Sequence, residues 1–71
     1  MSMLKVIEVL AESPDGFDQA AAAAVSKAAE SVRNIKSVYV KEMSGQVENG
    51  KITSYRVNAK ITFQLDSQSA A

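Results

Sequence analysis

Two side chains are suited to binding a planar or anionic ligand. Tyr39 has a ring that can stack on a flat molecule, and Arg56 has a guanidinium that can fork onto a carboxylate or a phosphate. For each we favour a simpler role, filling a subunit interface for Tyr39 and pairing with an acidic neighbour for Arg56. Lys41 and Lys60 are the only groups that suggest covalent chemistry, through a Schiff base. The sequence therefore offers binding groups rather than a catalytic set.

The common catalytic arrangements cannot be built from this sequence. It contains no His and no Cys, which argues against an ordinary hydrolase of the Ser-His-Asp or Cys-His type. The glycines are too dispersed for a dinucleotide fingerprint or a P-loop. The acidic segment 12–18 lacks the alternating oxygen ligands of an EF-hand, and we interpret Asp15 and Asp18 as turn and cap residues. Carboxylates that meet between subunits remain an open route to bound Ca²⁺.

The length of the chain, 71 residues, allows one small domain, residues 1–71. We expect an ordered core over about residues 3–66 and a tail at residues 67–71, where no pattern is present. A domain of this size buries only about 60% of its unfolded surface, and the absence of Cys and His removes disulfides and ordinary zinc sites as supports. Association with further copies of the chain is the remaining way to complete the core.

Charge and hydropathy restrict the partners. Lys plus Arg and Asp plus Glu number 8 each, so the formal net charge is zero and the basic footprint of a nucleic-acid binder is missing. The longest apolar run is far shorter than the ~20 residues of a membrane-spanning helix, and the N-terminus runs directly into a strand pattern. We therefore predict a cytoplasmic protein with neither nucleic acid nor membrane as a partner.

The pattern of apolar residues predicts an α+β domain in the order strand, helix, strand, strand. Residues 4–11 are apolar on both alternating sets, so the first strand needs cover on both faces, one of them from another subunit. A Ser-Pro-Asp-Gly turn at residues 13–16 ends it, and a helix follows that we expect to stop at Asn34. The apolar face of this helix consists of Phe17, Ala21, Ala24, Val25, Ala28 and Val32.

The last two strands are predicted to form a hairpin. The second strand covers residues 37–48, and Asn49-Gly50 follows it, a pair that tolerates the positive φ angles of a type I′ turn. In the third strand, odd-numbered residues 55–65 are apolar and even-numbered residues 54–66 are polar, so the odd set faces the helix.

The register of this hairpin decides which side chains share a face. Without a bulge, Val38 lies opposite Ile61 and Val40 opposite Ala59 on the helix side. The opposite side then carries Ser37, Tyr39, Lys41, Met43, Arg56 and Lys60. A bulge at Ser44-Gly45 would reverse the residues beyond it.

The order and spacing of these segments resemble the dodecin family. The match covers residues 4–66 and is carried by Lys-Val-Ile-Glu at 5–8, the turn at 13–16, the Ala-rich stretch 20–29 and Ile-Thr-Phe-Gln-Leu at 61–65. The resemblance implies a β-α-β-β fold with a three-stranded antiparallel sheet wrapped on one helix, and twelve copies in a hollow shell without enzymatic activity. Flavin-binding members hold paired flavins (FMN or riboflavin) between subunits. Some bacterial relatives carry coenzyme A, and one subgroup is described as calcium-binding.

The candidate ligand-binding residues follow from this resemblance. In flavin-binding dodecins a Trp that stacks on the flavin occupies the position of Ser37, and a Gln that recognises its edge occupies the position of Arg56. Losing the ring and the amide predicts weak or absent flavin binding. Glu42 and Gln46 match positions near the ribityl chain. The candidate site is Ser37, Tyr39, Glu42, Gln46 and Arg56.

Three functions remain open at this point. The first is a shell that sequesters a small ligand between subunits, with flavin as the family ligand. The second is a structural or calcium-holding shell without flavin, and the segment Ser-Tyr-Arg-Val at residues 54–57 resembles the non-flavin, calcium subgroup more closely. The third, a small enzyme, rests on Lys41 and Lys60 alone. We favour a non-enzymatic function and identify no metal ligand.

Overall fold

The computed structural model of the protein describes residues 2–65. Its elements are strand β1 (Leu4–Ser13), helix α1 (Phe17–Ala28), strand β2 (Ile35–Glu48) and strand β3 (Lys51–Gln64). The strands form one antiparallel sheet in the order β1-β3-β2, and α1 packs on one face of it. This confirms the predicted β-α-β-β fold. The predicted tail, residues 67–71, lies outside the described residues.

The turn between β1 and α1 is closed by a side chain. β1 extends beyond the predicted residue 11 because it stays paired with β3 as far as Ser13, opposite Tyr55. Ser13 is buried, and its hydroxyl oxygen accepts a hydrogen bond of 3.0 Å from the backbone N–H of Asp15. The Gly16 carbonyl then accepts the N–H of Ala20 at 3.0 Å. The chain is thereby turned back across the sheet as a helix.

Helix α1 ends earlier than the pattern predicts, at Ala28 rather than near Asn34. Beyond Ala28 the backbone tightens, since the N–H of Glu30 bonds to the carbonyl of Lys27 at 3.1 Å in a three-residue step. Asn34 marks a reversal of the chain instead, with a φ of 64° that Asn tolerates. Val32 therefore packs on the core from the connection, not from the helix. Within residues 2–65, no helix has the length and apolar content to cross a membrane.

Small side chains bring α1 close to the sheet. Ala20, Ala24 and Ala28 are 0%, 4% and 9% exposed, and the last two pack against Ala59 and Ile61 of β3. The predicted helix face contains Ala24 and Ala28 but omits Ala20. Because an Ala side chain loses no rotamer freedom on burial, this close contact costs little conformational entropy.

The core lies on the odd-numbered face of β3, as predicted. Val57, Ala59 and Ile61 are each 0% exposed, and Ile7 and Val9 of β1 contribute at its margin. Many larger apolar side chains remain outside it: Met3, Leu4, Val6, Leu10, Val38, Tyr39, Met43, Val47, Ile52 and Leu65 are exposed. A single copy thus leaves much of its apolar surface uncovered.

The β2-β3 hairpin confirms the predicted turn. Asn49 and Gly50 have φ angles of 52° and 75°, as a type I′ turn requires. The predicted pairs Val38 with Ile61 and Val40 with Ala59 are also confirmed.

The bulges of β2 differ from the prediction. The register shifts between Val40 and Glu42, which leaves Lys41 as an extra residue, and a second shift at 35/37 leaves Lys36 as another. The third shift, at 46/47, lies in the partner strand, where Thr53 of β3 is the extra residue. No shift occurs at residues 44–45. The bulge at Lys41 places Met43 opposite buried Val57, on the helix side of the sheet, so the prediction that Met43 projects away from the helix is wrong.

Candidate functional site

The face of the sheet that points away from α1, which we call the outer sheet face, contains the candidate site. It is formed by the even-numbered residues 54–64 of β3 and their partners on both sides. From one end to the other, its cross-strand rows are Gln64-Leu4, Ser37-Thr62-Val6, Tyr39-Lys60-Glu8, Glu42-Asn58-Leu10, Ser44-Arg56-Glu12 and Gln46-Ser54.

All the predicted site residues lie on the outer sheet face. Ser37, Tyr39, Glu42 and Gln46 follow one another along β2, and Arg56 lies on β3. The bulge at Lys41 is required to bring Glu42 and Gln46 onto this face. With unbroken alternation, Glu42 and Gln46 would share the helix side with Val40.

The two ends of the site are far apart in one copy. Ser37 lies opposite Thr62, and Arg56 is six residues earlier on the same strand. At about 3.3 Å per residue this separation is roughly 20 Å. A small ligand that touches both positions must therefore bridge two copies of the chain.

Arg56 is held by Glu12 of its own chain. Its Nε and Nη2 donate to Glu12 Oε1 at 2.8 and 2.5 Å, and the two side chains are 45% and 47% exposed. Both bonds go to one carboxylate oxygen, so the other oxygen remains available to a second donor or a cation. This arrangement matches the ion-pair role favoured for Arg56 and removes its fork from the surface available to an anion.

Glu12 is a residue that the sequence analysis did not assign to the site. It faces Arg56 because β1 and β3 are adjacent and in this register. That pairing joins segments separated by 44 positions, and no local pattern specifies it. The sequence indicates this contact only through the charge of Glu12, at the end of β1, which is opposite to that of Arg56.

The remaining polar groups of the face are partly engaged. Lys41 Nζ lies 3.9 Å from Glu8 Oε2, a loose contact between half-exposed side chains. In the part of the chain that the structure describes, Glu42 makes no ion pair, and Asn58 Oδ1 is the one buried side-chain oxygen without a hydrogen-bond partner. Glu42 is therefore the carboxylate of this face that is free to bind a cation or a ligand donor.

Apolar side chains make up the other half of the outer sheet face. Leu4, Val6 and Leu10 of β1 are 59%, 53% and 67% exposed, and Tyr39 of β2 is 65% exposed. Covering such a surface lowers the free energy of the system, because apolar area is removed from water. It suits a planar ligand or another subunit, the two alternatives that the sequence left open for Tyr39.

The described residues of one copy contain no cluster of acidic side chains. Among residues 2–65, no three acidic side chains come together closely enough to hold an ion. The backbone N–H of Asp15 bonds within its turn, as interpreted from the sequence, but the expected cap is not formed: Gly16 is the N-cap of α1, no side chain caps the helix, and Asp18 lies in its first turn.

Comparison with known proteins shows which family has this fold. The family model for dodecin matches residues 3–66. The chain is 41% identical over 66 residues to "Calcium dodecin" of Mycobacterium tuberculosis, covering 92% of each. Its structure resembles that of dodecin from Streptomyces coelicolor, with a TM-score of 0.86 at 35% identity and coverage of 92% and 93%. It also resembles the M. tuberculosis calcium dodecin, described as calcium chelating "with a novel calcium-binding site", with a TM-score of 0.77 at 38% identity and coverage of 92% and 93%.

These matches agree with the geometry described above. Dodecins are non-enzymatic binding proteins that form homo-oligomers and bind flavins or calcium, so the enzyme hypothesis based on Lys41 and Lys60 is set aside. The four elements, their register and the match over residues 3–66 lead to one conclusion: this chain belongs to the dodecin family.

Proposed function

We propose that the chain assembles into a hollow shell of twelve copies that sequesters a small ligand between subunits at the outer sheet face. The observation that carries this proposal is the separation of Ser37 and Arg56 by roughly 20 Å on one sheet, at register positions six apart. Site residues spread so widely can converge on a small molecule only when two copies meet. The exposed apolar side chains of the same face favour that meeting.

Flavin is a poor ligand for this shell. Ser37 has no ring to stack on it, and Arg56 is already bound by Glu12 where a flavin-binding member presents an amide. Tyr39 is the aromatic side chain that remains on this face, and it lies one row away from Ser37. We infer that the ligand is bound by apolar contact and by Glu42 and Gln46 rather than by a stacked indole.

The test combines mass, colour and bound content of the purified protein. Light scattering after size exclusion is expected to give twelve copies of the 7.6 kDa chain, about 91 kDa. The protein is expected to be colourless, to quench added riboflavin only weakly, and to release a small molecule in denaturing mass spectrometry. A stable monomer at micromolar concentration would contradict the shell, and a yellow protein would contradict the low flavin affinity.

A calcium-holding shell is the second candidate, favoured by the 41% identity to a calcium dodecin and by the unpaired carboxylate of Glu42. Calorimetry is expected to show Ca²⁺ binding that Glu42→Gln weakens by about tenfold or more, because each lost carboxylate lowers the charge of the site. Asp18→Asn, an equal change on α1 away from this face, serves as the control. If the two variants bind Ca²⁺ equally well, Glu42 is not a ligand.

A further inference from the structure

The distal part of the β2-β3 hairpin extends beyond the helix. The rings of Phe17, the first residue of α1, and Tyr55 pack edge to face with centroids 4.9 Å apart, so this contact marks the end of the sheet that α1 covers. Residues 45–54 lie past it and carry the turn. The extents of the molecule, 57 × 19 × 13 Å, reflect this projecting hairpin.

The helix side of this projection carries an uncovered apolar patch, which we call the hairpin patch: Met43, Val47 and Ile52. They are 62%, 62% and 48% exposed. Val47 pairs with Ile52, and Ile52 Cγ2 lies 3.2 Å from the position that a Cβ on Gly45 would take. Since Gly45 pairs with Tyr55, this contact places Ile52 on the helix side. The missing side chain at Gly45 leaves room for the Ile52 methyl group.

An open groove lies elsewhere on the same chain. Because β1 is an edge strand, the space between β1 and the second half of α1 is open, and it forms a groove of about 630 Å³. We call it the helix groove. Its lining combines apolar and small side chains, among them Ile7, Val9, Ala11, Ala23, Ser26 and Ala28, with the charged residues Glu12, Lys27 and Glu30.

The charges at the two surfaces also match. At the groove rim, Lys27 Nζ and Glu30 Oε1 are 3.3 Å apart on highly exposed side chains. At the tip of the hairpin, Glu48 and Lys51 form the last cross-strand pair before the turn. Each surface thus presents one acid and one base, which can re-pair when the tip lies along the rim.

From this complementarity we propose that the hairpin patch of one copy packs into the helix groove of the next copy. The inference rests on the homo-oligomer of the proposed function and specifies how its subunits touch. Patch and groove are different surfaces, so the contact is head-to-tail, and within the closed shell of the proposed function it repeats around a ring. The hairpin patch thereby covers the apolar margin of the neighbour's core, which the neighbour's own α1 leaves open.

Engineered cysteines test this contact directly, because the chain has none of its own. The variant Val47→Cys/Ser26→Cys, treated with a short bismaleimide, is expected to give a covalent ladder of two, three and more chains. Each single variant is expected to give at least tenfold less crosslinked product. Ala22→Cys in place of Ser26→Cys is the matched control, since Ala22 lies on the exposed side of α1 and does not line the groove.

The outcomes separate this inference from the proposed shell. An assembly near 91 kDa whose double variant crosslinks no better than the Ala22→Cys control would overturn the contact and leave the shell intact. Efficient crosslinking of Val47→Cys to itself would also overturn it, because it would show two patches facing each other. A wild-type monomer would overturn both proposals.

Discussion

The double variant Ser37→Trp/Arg56→Gln is expected to bind riboflavin about 100-fold more tightly than the wild-type protein. The new indole supplies a stacking surface at the end of the outer sheet face, worth roughly 0.5–1.5 kcal/mol beyond its buried area. The amide supplies hydrogen bonds of about 1 kcal/mol each and replaces a guanidinium that Glu12 occupies. A total near 3 kcal/mol corresponds to about two orders of magnitude in Kd, measured by quenching of riboflavin fluorescence.

A matched control shows whether stacking is responsible. Ser37→Leu/Arg56→Gln keeps the amide but introduces an apolar side chain without a ring. We expect it to bind riboflavin about two- to tenfold less tightly than the Trp variant, which corresponds to the loss of the stacking energy. The mutated positions are exposed and the Arg56-Glu12 pair is about half exposed, so the folded shell is expected to tolerate both changes. Equal binding by the Trp and Leu variants, at unchanged assembly mass, would show that flavin does not stack at position 37.

Local patterns in the sequence were enough to predict the core and the hairpin turn. The alternation from Tyr55 to Leu65 has one physical interpretation, a strand with one buried face, and Val57 and Ile61 confirm it. Asn49-Gly50 combines the two residue types that accept positive φ, and no competing signal surrounds it. Both features depend on neighbours in sequence, so the sequence alone specifies them.

Features that depend on distant pairing were not predicted. The bulge at Lys41 arises from how β2 fits against β3, and an apolar pattern cannot locate an inserted residue in a strand whose two faces are both mostly exposed. The contact between Glu12 and Arg56 needs the register of β1 on β3. The end of α1 at Ala28 was missed because Val32 keeps the helical spacing while it packs from a turn.

The candidate site likewise combines features that could be predicted from the sequence with features that depend on strand pairing. Its residues came from the resemblance to the dodecin family, and the structure brings them onto one face only through the bulge at Lys41. A single chain does not contain the second subunit that the proposed site requires. The contacts that would complete the site therefore depend on how two copies meet, which the sequence of one chain does not specify.

Ile61→Ala is expected to lower the free energy of unfolding by about 2–5 kcal/mol, enough to dissociate or unfold a small domain. Ile61 is fully buried in a cluster with Ala24, Ala28 and Ala59, whose side chains are too short to reach into the space left behind, while larger side chains such as Ile7 pack only at the margin of this cluster. Whatever part of the cavity these neighbours leave unfilled adds to the cost of the lost contacts. Urea unfolding followed by circular dichroism, at one fixed protein concentration, measures the change.

Ile61→Val is the graded control for this measurement, because it removes a single methylene and is expected to cost only about 0.5–1.5 kcal/mol. The ratio of the losses in unfolding free energy for Ile61→Ala and Ile61→Val reports whether the helix can move toward the sheet. The buried Ala24 and Ala28 already place α1 in close contact, which leaves little room for collapse. If Ile61→Ala were no more damaging than Ile61→Val, then α1 would be free to settle onto β3, and the close alanine packing would not be what holds the two together.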